Sequence, residues 1–200
     1  LYWLAVGGVG GAIIAAIDYR HFERFGYVIY TAGIFSLILV FIMARDVRGA
    51  ARWIQFGSFS FQPSEFMKVC LIIALGKYLH DDPKPDERTL RDLMIPGVLT
   101  VVPALLIARQ PDLGTALVLL LIFGSVIAIT RIRTGSVALL LGGGLVSGMI
   151  VWQYALPYQR ARVTAFLNPG ADLSGTGYHA YHARIAIGNG GLTGQGFMNG

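Results

Sequence analysis

The stretch LGTALVLLLIFGSVIAIT at Leu113–Thr130 carries no charged side chain and is apolar along nearly its whole length. A membrane-spanning helix needs about 20 mostly apolar residues, so this stretch predicts a span. The rest of the 200-residue chain has the same character, with 54% hydrophobic and 14% charged residues, against about 25% charged residues in typical soluble domains. A mean hydropathy of +0.60 excludes a disordered chain. The single cysteine excludes a disulfide scaffold, and an integral membrane protein remains.

Similar apolar stretches recur along the first three quarters of the chain. We predict six membrane helices, at Leu1–Ile17, Gly26–Ala44, Ser64–Leu79, Leu93–Ala108, Leu113–Thr130 and Gly135–Leu156. Residues 1–156 are therefore expected to form an all-α, polytopic transmembrane helical bundle, and residues 157–200 a large outer loop that leads into a further helix. Small residues let transmembrane helices approach closely, so we expect the glycines of the first and sixth spans to serve helix packing. These are Gly7, Gly8, Gly10, Gly11, Gly142, Gly143, Gly144 and Gly148.

Two charged residues, Glu65 and Lys68, fall at the start of the third predicted span. Their spacing of three residues puts them on one face of a helix. Ionisable groups within a membrane are costly and usually face a cavity or a partner. Two interpretations stay open: a mutually satisfied pair that locks the bundle, or a pair that lines a substrate cavity.

The connection Arg109-Gln110-Pro111-Asp112 lies between two predicted spans. Asp112 fits the N-terminus of the fifth helix, where a carboxylate complements the helix dipole. That capping role is favoured for Asp112. Arg109 and Gln110 are candidates for contact with a polar ligand.

Basic residues are shared almost evenly between the two sets of alternating loops, so the positive-inside rule barely orients the chain. The set expected on the outer side includes Arg48 and Arg52, and its charge suggests a face that handles an anionic group. These arginines are candidates for phosphate binding. Trp53 belongs either to the interfacial aromatic belt or to a site where it stacks on a sugar.

Asp172 is the only acidic residue between Leu113 and the end of the chain, and it lies among turn-forming residues. A lone carboxylate on a constrained loop is a candidate general base. An Asx turn or a helix cap is the alternative. His179 and His182, three residues apart, are a weak indication of a metal site because no third ligand is evident.

Four segments together resemble the SEDS family (shape, elongation, division and sporulation), and specifically its RodA-like branch. The matching segments are ARWIQFGSFSFQPSEFMK at Ala51–Lys68, RQPDLGTAL at Arg109–Leu117, YQRARVTAFLNPGADLSGTGYH at Tyr158–His179 and IAIGNGG at Ile185–Gly191. The resemblance implies a polytopic enzyme of roughly ten helices in the bacterial cytoplasmic membrane. Such enzymes polymerise peptidoglycan from lipid II at the outer face.

The resemblance also implies roles for individual residues. The family's catalytic carboxylate matches Asp172, its functional tryptophan matches Trp53, and its charged pair matches Glu65 and Lys68. The substrate-binding residues that we expect are Arg48, Arg52, Trp53, Glu65, Lys68, Gln110, Tyr178 and His179.

The expected reaction joins two lipid-linked glycans. Asp172 accepts the proton of the GlcNAc 4-hydroxyl of lipid II, whose oxygen then attacks C1 of the donor MurNAc. Undecaprenyl diphosphate leaves as an anion, and inversion gives a β-1,4 bond. The resemblance adds a divalent cation, Mg or Mn, with unknown ligands, and a class B penicillin-binding transpeptidase as partner. Nucleic acid is not an expected partner.

The sequence departs from the family pattern at three places. Asn168 stands where relatives often have a second aspartate, His182-Ala183 stands where many have Gln-Ser, and the family's final spans are missing. We therefore expect about half of an enzyme, inactive alone. Two alternatives stay open: a lipid II flippase, and an FtsW-like paralogue of division or sporulation.

Overall fold

The computed structural model describes residues 2–43, 53–56, 59–82, 86–167, 178–191, 194 and 196. Eight helices and one hairpin are present in these ranges. The helices are α1 (Tyr2–Ala16), α2 (Tyr19–Met43), α3 (Pro63–Asp81), α4 (Met94–Arg109), α5 (Leu113–Ile129), α6 (Thr134–Gln153), α7 (Pro157–Leu167) and α8 (Tyr178–Gly190). The hairpin consists of β1 (Ile54–Phe56) and β2 (Phe59–Phe61), which pair in antiparallel register with Ile54 opposite Phe61.

Helices α1 to α6 each overlap one of the six predicted spans. Of the helices that the structure describes, α2 (over Tyr19–Ile42) and α6 are long and apolar enough to cross a membrane, and three shorter apolar helices accompany them. The prediction did not include the hairpin that precedes α3. The segment predicted as an outer loop contains α7 and α8. The division at residues 156 and 157 stays a prediction.

The chain forms two compact units, Leu1–Val137 and Ala138–Gly200. The buried core of the first unit lies where α2, α3, α4 and α5 pack against one another. Its buried members are Leu37, Met67, Cys70, Leu71, Leu75, Ala104, Ile107, Ala116 and Leu119. In the second unit, Arg160 of α7 donates hydrogen bonds to the carbonyl oxygens of Trp152 and Gln153, at 3.3 and 2.8 Å. These bonds place a cation at the C-terminus of α6, where the helix dipole favours one.

Close packing between α2 and α3 depends on Gly33. A Cβ atom at this position would lie 2.9 Å from the Met67 sulfur and 3.1 Å from the Cys70 sulfur, so no larger side chain fits without movement. Among the described residues, no neighbouring atom lies within 4 Å of a Cβ built at any glycine of the first and sixth spans, so their role in helix packing stays a prediction.

A hydrogen bond also joins α2 to α4. Pro103 in the interior of α4 has no N–H, so the carbonyl of Leu99, four residues earlier, loses its helical donor. The Tyr30 hydroxyl of α2 donates to this carbonyl oxygen at 2.9 Å. A proline that interrupts the ladder of α4 is thus compensated by a side chain from the neighbouring helix.

Candidate functional site

A partly buried polar cluster lies where α3 and α5 begin. It consists of Gln62, Ser64, Asp112 and Thr115, which we call the Gln62–Asp112 cluster. The Asp112 carboxylate accepts from the Thr115 N–H at 3.4 Å and from its hydroxyl at 2.9 Å, which confirms the predicted cap of α5. Asp112 is only 6% exposed. A carboxylate can be buried at this position because the Gln62 amide, the Thr115 N–H and the Thr115 hydroxyl donate to it and the helix dipole stabilises its charge.

Gln62 is the residue of this cluster whose role the sequence did not indicate. It occupies the N-cap position of α3, before Pro63, but its side chain makes no capping hydrogen bond. Its amide instead donates to Asp112 at 3.1 Å and to the Ser64 hydroxyl at 3.0 Å. The start of α3 is thereby tied to the start of α5. Fifty residues separate the two partners, and no local pattern signals such a pair.

Glu65 and Lys68 form an ion pair in the first turns of α3. The Lys68 ammonium lies 3.0 and 2.9 Å from the two Glu65 carboxylate oxygens. The side chains are 28% exposed for lysine and 54% exposed for glutamate. Both partners belong to one helix, so the pair does not bridge helices as a lock on the bundle would. A partly exposed pair of this kind contributes little stability and leaves both charges accessible to a ligand.

Gln110 belongs to the helix interface and not to an open surface. It is 2% exposed, and its amide donates to the Leu37 carbonyl oxygen at 3.0 Å, which ties the end of α4 to α2. This burial leaves almost no surface of Gln110 for the predicted contact with a ligand. Arg109, the last residue of α4, is exposed and complements the C-terminal end of the helix dipole.

Trp53 directly precedes β1 and is 39% exposed. The hairpin behind it is fixed at two points. Ile54 is 4% exposed, and the Phe61 ring lies 4.7 Å from the Phe66 ring of α3, centroid to centroid. These contacts hold the hairpin at the same end of the first unit as Glu65. The tryptophan ring is thus presented from a fixed backbone.

Three predicted residues, Arg48, Arg52 and Asp172, lie outside the described residues. His179 lies in α8, but its side chain is also outside them. Tyr178 begins α8 and is 46% exposed, with its ring centroid 4.2 Å from that of His182. In the part of the chain that the structure describes, no three histidine, cysteine or acidic side chains form a group that could hold a metal ion.

Comparison with known proteins identifies the chain. The model of the FtsW, RodA and SpoVE family, described as a cell cycle protein family, matches residues 1–200. The chain belongs to this family. It is 34% identical to the peptidoglycan glycosyltransferase MrdB of Escherichia coli K12, over 98% of this chain and 53% of that protein. It is 32% identical to the probable peptidoglycan glycosyltransferase FtsW of Moranella endobia, over 99% of this chain and 52% of that protein.

Solved structures of the family share the fold. A chain of a peptidoglycan synthase complex, solved in a study of how polymerization and crosslinking are coordinated, superimposes with a TM-score of 0.75. It is 33% identical, and the match covers 94% of this chain and 56% of that one. The rod shape determining protein RodA of Thermus thermophilus superimposes with a TM-score of 0.59 at 30% identity, over 72% of this chain and 47% of that one. The predicted class, an all-α polytopic membrane bundle, is confirmed.

The FtsW/RodA chain spans about half the length of the curated relatives that it matches. It is a membrane protein of the same kind as those relatives. The matched half contains the hairpin, the Gln62–Asp112 cluster and the Glu65–Lys68 pair.

Proposed function

We propose that this chain is part of a peptidoglycan glycosyltransferase that polymerises lipid II into β-1,4 glycan strands during cell elongation. The observation that carries the proposal is the match of nearly the whole chain to a named peptidoglycan glycosyltransferase at 34% identity. The polar end of the first unit supports it. There, an accessible ion pair and an exposed tryptophan stand beside apolar helices, as binding of a charged, lipid-linked sugar requires.

Asp172 is the proposed general base. Its carboxylate accepts the proton of the acceptor's GlcNAc 4-hydroxyl while that oxygen forms a bond to C1 of the donor MurNAc. The bond from C1 to the diphosphate oxygen breaks, and undecaprenyl diphosphate departs with the electron pair. Attack opposite an α-linked leaving group gives the β-linkage. A positioned base of this kind contributes about 10²- to 10⁴-fold to the rate.

The departing diphosphate needs cations, because its negative charge grows as the bond to C1 breaks. Arg48, Arg52 and Lys68 are proposed to supply them. In the structure the Lys68 ammonium is held by Glu65 at 2.9 Å, so Glu65 keeps the cation at one position until an anion competes for it. Trp53, Tyr178 and His179 are proposed to contact the sugars. Gln110 is left out of this set because its amide is buried against Leu37.

The proposed location is the bacterial cytoplasmic membrane, with the site on the outer face. The proposed partner is a class B penicillin-binding transpeptidase. This partner fits the solved structure of a relative, which comes from a synthase complex that coordinates polymerization with crosslinking. A divalent cation, Mg or Mn, stays a prediction without assigned ligands, and no step is assigned to it.

The lipid II flippase is less well supported. A flippase needs polar groups along the whole depth of the bilayer. On α3, the charges near the start are the Glu65–Lys68 pair, and the next charged residue, Lys77, lies at the opposite end of the helix. Named relatives include both MrdB and FtsW at nearly equal identity, so a division paralogue stays open.

The test is lipid II polymerisation by the full-length protein. Asp172→Ala is expected to lower the rate by about 100-fold or more. The matched control Glu87→Gln removes an exposed carboxylate of the first unit and is expected to keep the wild-type rate. Glycan synthesis at the wild-type rate by Asp172→Ala contradicts the assignment. Lipid II translocation in vesicles that is lost with Glu65→Ala but kept with Asp172→Ala would favour the flippase.

A further inference from the structure

A cavity of about 380 Å³ lies at the other end of the first unit from the Glu65–Lys68 pair. Thr89, Leu90, Arg91, Arg133 and Ser136 line it, and we call it the arginine pocket. Its volume is within the range of about 300–1,000 Å³ that is usual for small-molecule sites. It shares no residue with the site proposed for glycan synthesis.

Backbone pairing holds the two sides of the arginine pocket together. Arg88, before α4, forms a parallel bridge with Ile132, before α6. The Arg88 N–H donates to the Arg131 carbonyl at 2.9 Å, and the Arg133 N–H donates to the Arg88 carbonyl at 3.1 Å. The Arg88 side chain is 6% exposed and binds the Asp82 carboxylate at 3.1 Å. Two loops that are distant in sequence therefore form one framework.

Two arginines give the pocket a positive charge that the nearby Asp92 offsets only in part. The Arg88 guanidinium forms an ion pair with Asp82. Arg91 and Arg133 are exposed, and neither forms an ion pair with a carboxylate among the residues that the structure describes. The nearby Asp92 carboxylate accepts from the Thr89 N–H at 2.8 Å and from its hydroxyl at 2.9 Å. Two guanidinium groups thus remain for a ligand, and Arg suits phosphate because its planar fork donates two parallel hydrogen bonds.

The start of α6 adds to this positive field. The Ser136 N–H donates to the Arg133 carbonyl at 2.8 Å, so the helix begins at the pocket wall. The first N–H groups of a helix have no helical acceptor, and the dipole makes this end positive. Ser136 is 6% exposed and brings a hydroxyl to the same wall.

Exposed apolar residues lie close in sequence to both pocket arginines. Ile129 at the end of α5 is 83% exposed, and Met94 at the start of α4 is 66% exposed. In a membrane protein such surface meets acyl chains, so we expect the arginines, at the ends of the apolar helices, to lie near the level of the lipid phosphate groups.

We propose that the arginine pocket binds a phosphate group, with Arg91 and Arg133 as its cationic ligands. The same chemistry is offered by the headgroup of an anionic phospholipid and by soluble phosphate. The exposed apolar residues near the arginines would contact the acyl chains of a lipid, whereas a soluble phosphate ion has no apolar part for them to contact.

The test measures lipid retained by the full-length protein in nanodiscs that contain phosphatidylglycerol and phosphatidylcholine. The wild type is expected to enrich phosphatidylglycerol. The double variant Arg91→Ala, Arg133→Ala is expected to bind it about tenfold more weakly, because each basic group near the surface contributes severalfold to the affinity for anionic lipid. The matched pair is Arg133→Ala and Arg131→Ala, which each remove one charge from the same loop, although of the two only Arg133 lines the pocket.

Retention that is equal in the wild type and the double variant overturns the proposal. An equal loss in Arg131→Ala and in Arg133→Ala also overturns it, because net charge and not the pocket would then bind the lipid. Displacement of phosphatidylglycerol by millimolar inorganic phosphate supports the pocket and assigns it to soluble phosphate. Retention in the presence of inorganic phosphate supports the pocket and assigns it to the lipid headgroup. Circular dichroism of the double variant, expected to match the wild type, excludes unfolding as the cause of a loss.

Discussion

The Tyr30 hydroxyl is expected to stabilise the bundle only because Pro103 removes a donor from α4. Tyr30→Phe deletes one hydroxyl and leaves the ring in place. The Leu99 carbonyl then has neither a helical N–H nor a side-chain donor in an apolar setting. A hydrogen bond between transmembrane helices contributes about 0.6 kcal/mol on average and about 1.7 kcal/mol at most. Because the Leu99 carbonyl has no other donor, we expect a value near the upper end. Tyr30→Phe should therefore lower the free energy of unfolding by about 1.5 kcal/mol.

A second substitution separates this explanation from a general packing effect. Pro103→Ala restores an N–H that can donate to Leu99, so the hydroxyl of Tyr30 becomes dispensable. In that background Tyr30→Phe should cost about 0.5 kcal/mol or less, which gives a coupling energy of about 1 kcal/mol in the double-mutant cycle. Any cavity left by the proline ring is common to both variants and cancels in the cycle.

The assay is reversible unfolding of the purified protein in mixed micelles, followed by circular dichroism. Tyr27→Phe is the matched control, because the Tyr27 hydroxyl makes no hydrogen bond among the described residues, and it should change stability by less than about 0.5 kcal/mol. An equal cost of Tyr30→Phe with proline and with alanine at 103 would refute the reasoning, because the hydroxyl would then act independently of the missing N–H.

Three further substitutions test the packing of the first unit by the same unfolding assay. Gly33→Ala should cost about 1–3 kcal/mol, because its Cβ would lie 2.9 Å from the buried Met67 sulfur. Asp112→Ala should cost about 1–2 kcal/mol, because it removes the cap of α5 and one of the two acceptors of the partly buried Gln62 amide. Arg88→Ala should cost about 2 kcal/mol or more, because the 6% exposed guanidinium forms an ion pair with Asp82 that the substitution breaks. Glu87→Ala, at the exposed neighbouring position, should be close to neutral.

Each of these predictions has an outcome that contradicts it. The contrast for Gly33 is Gly144→Ala, where a Cβ meets nothing within 4 Å, and similar costs at both positions would show that glycine packing is not the cause. For Asp112, the conservative Asp112→Asn keeps an acceptor oxygen and should recover part of the loss. A neutral Arg88→Ala would show that the ion pair with Asp82 does not contribute to stability.

The first six helices were predictable because a long apolar run in a membrane satisfies its backbone groups by forming a helix. Their bounds were less predictable, since α2 begins at Tyr19 and not at Gly26, and α7 and α8 fall in the segment predicted as an outer loop. The capping role of Asp112 was also predictable, since it depends on a local hydrogen bond to Thr115 three residues later. The hairpin before α3 was missed, because its strands have three residues each and an alternating apolar pattern this short does not stand out. The packing role of Gly33 was missed for a different reason. Glycine occurs both at flexible and at closely packed positions, and only the position of a neighbouring helix tells the two apart.

Two kinds of information are therefore separate in this protein. The sequence alone determines the length of each apolar helix and its local caps, because both depend on residues within a few positions of one another. The sequence alone does not determine the hydrogen-bond partners of polar groups. Gln110 and Leu37, for example, are 73 residues apart. Which polar group meets which depends on how each helix is rotated and offset against its neighbours. Core packing among α2, α3, α4 and α5 sets that rotation, and with it which charges are buried, which are paired and which stay open to a ligand.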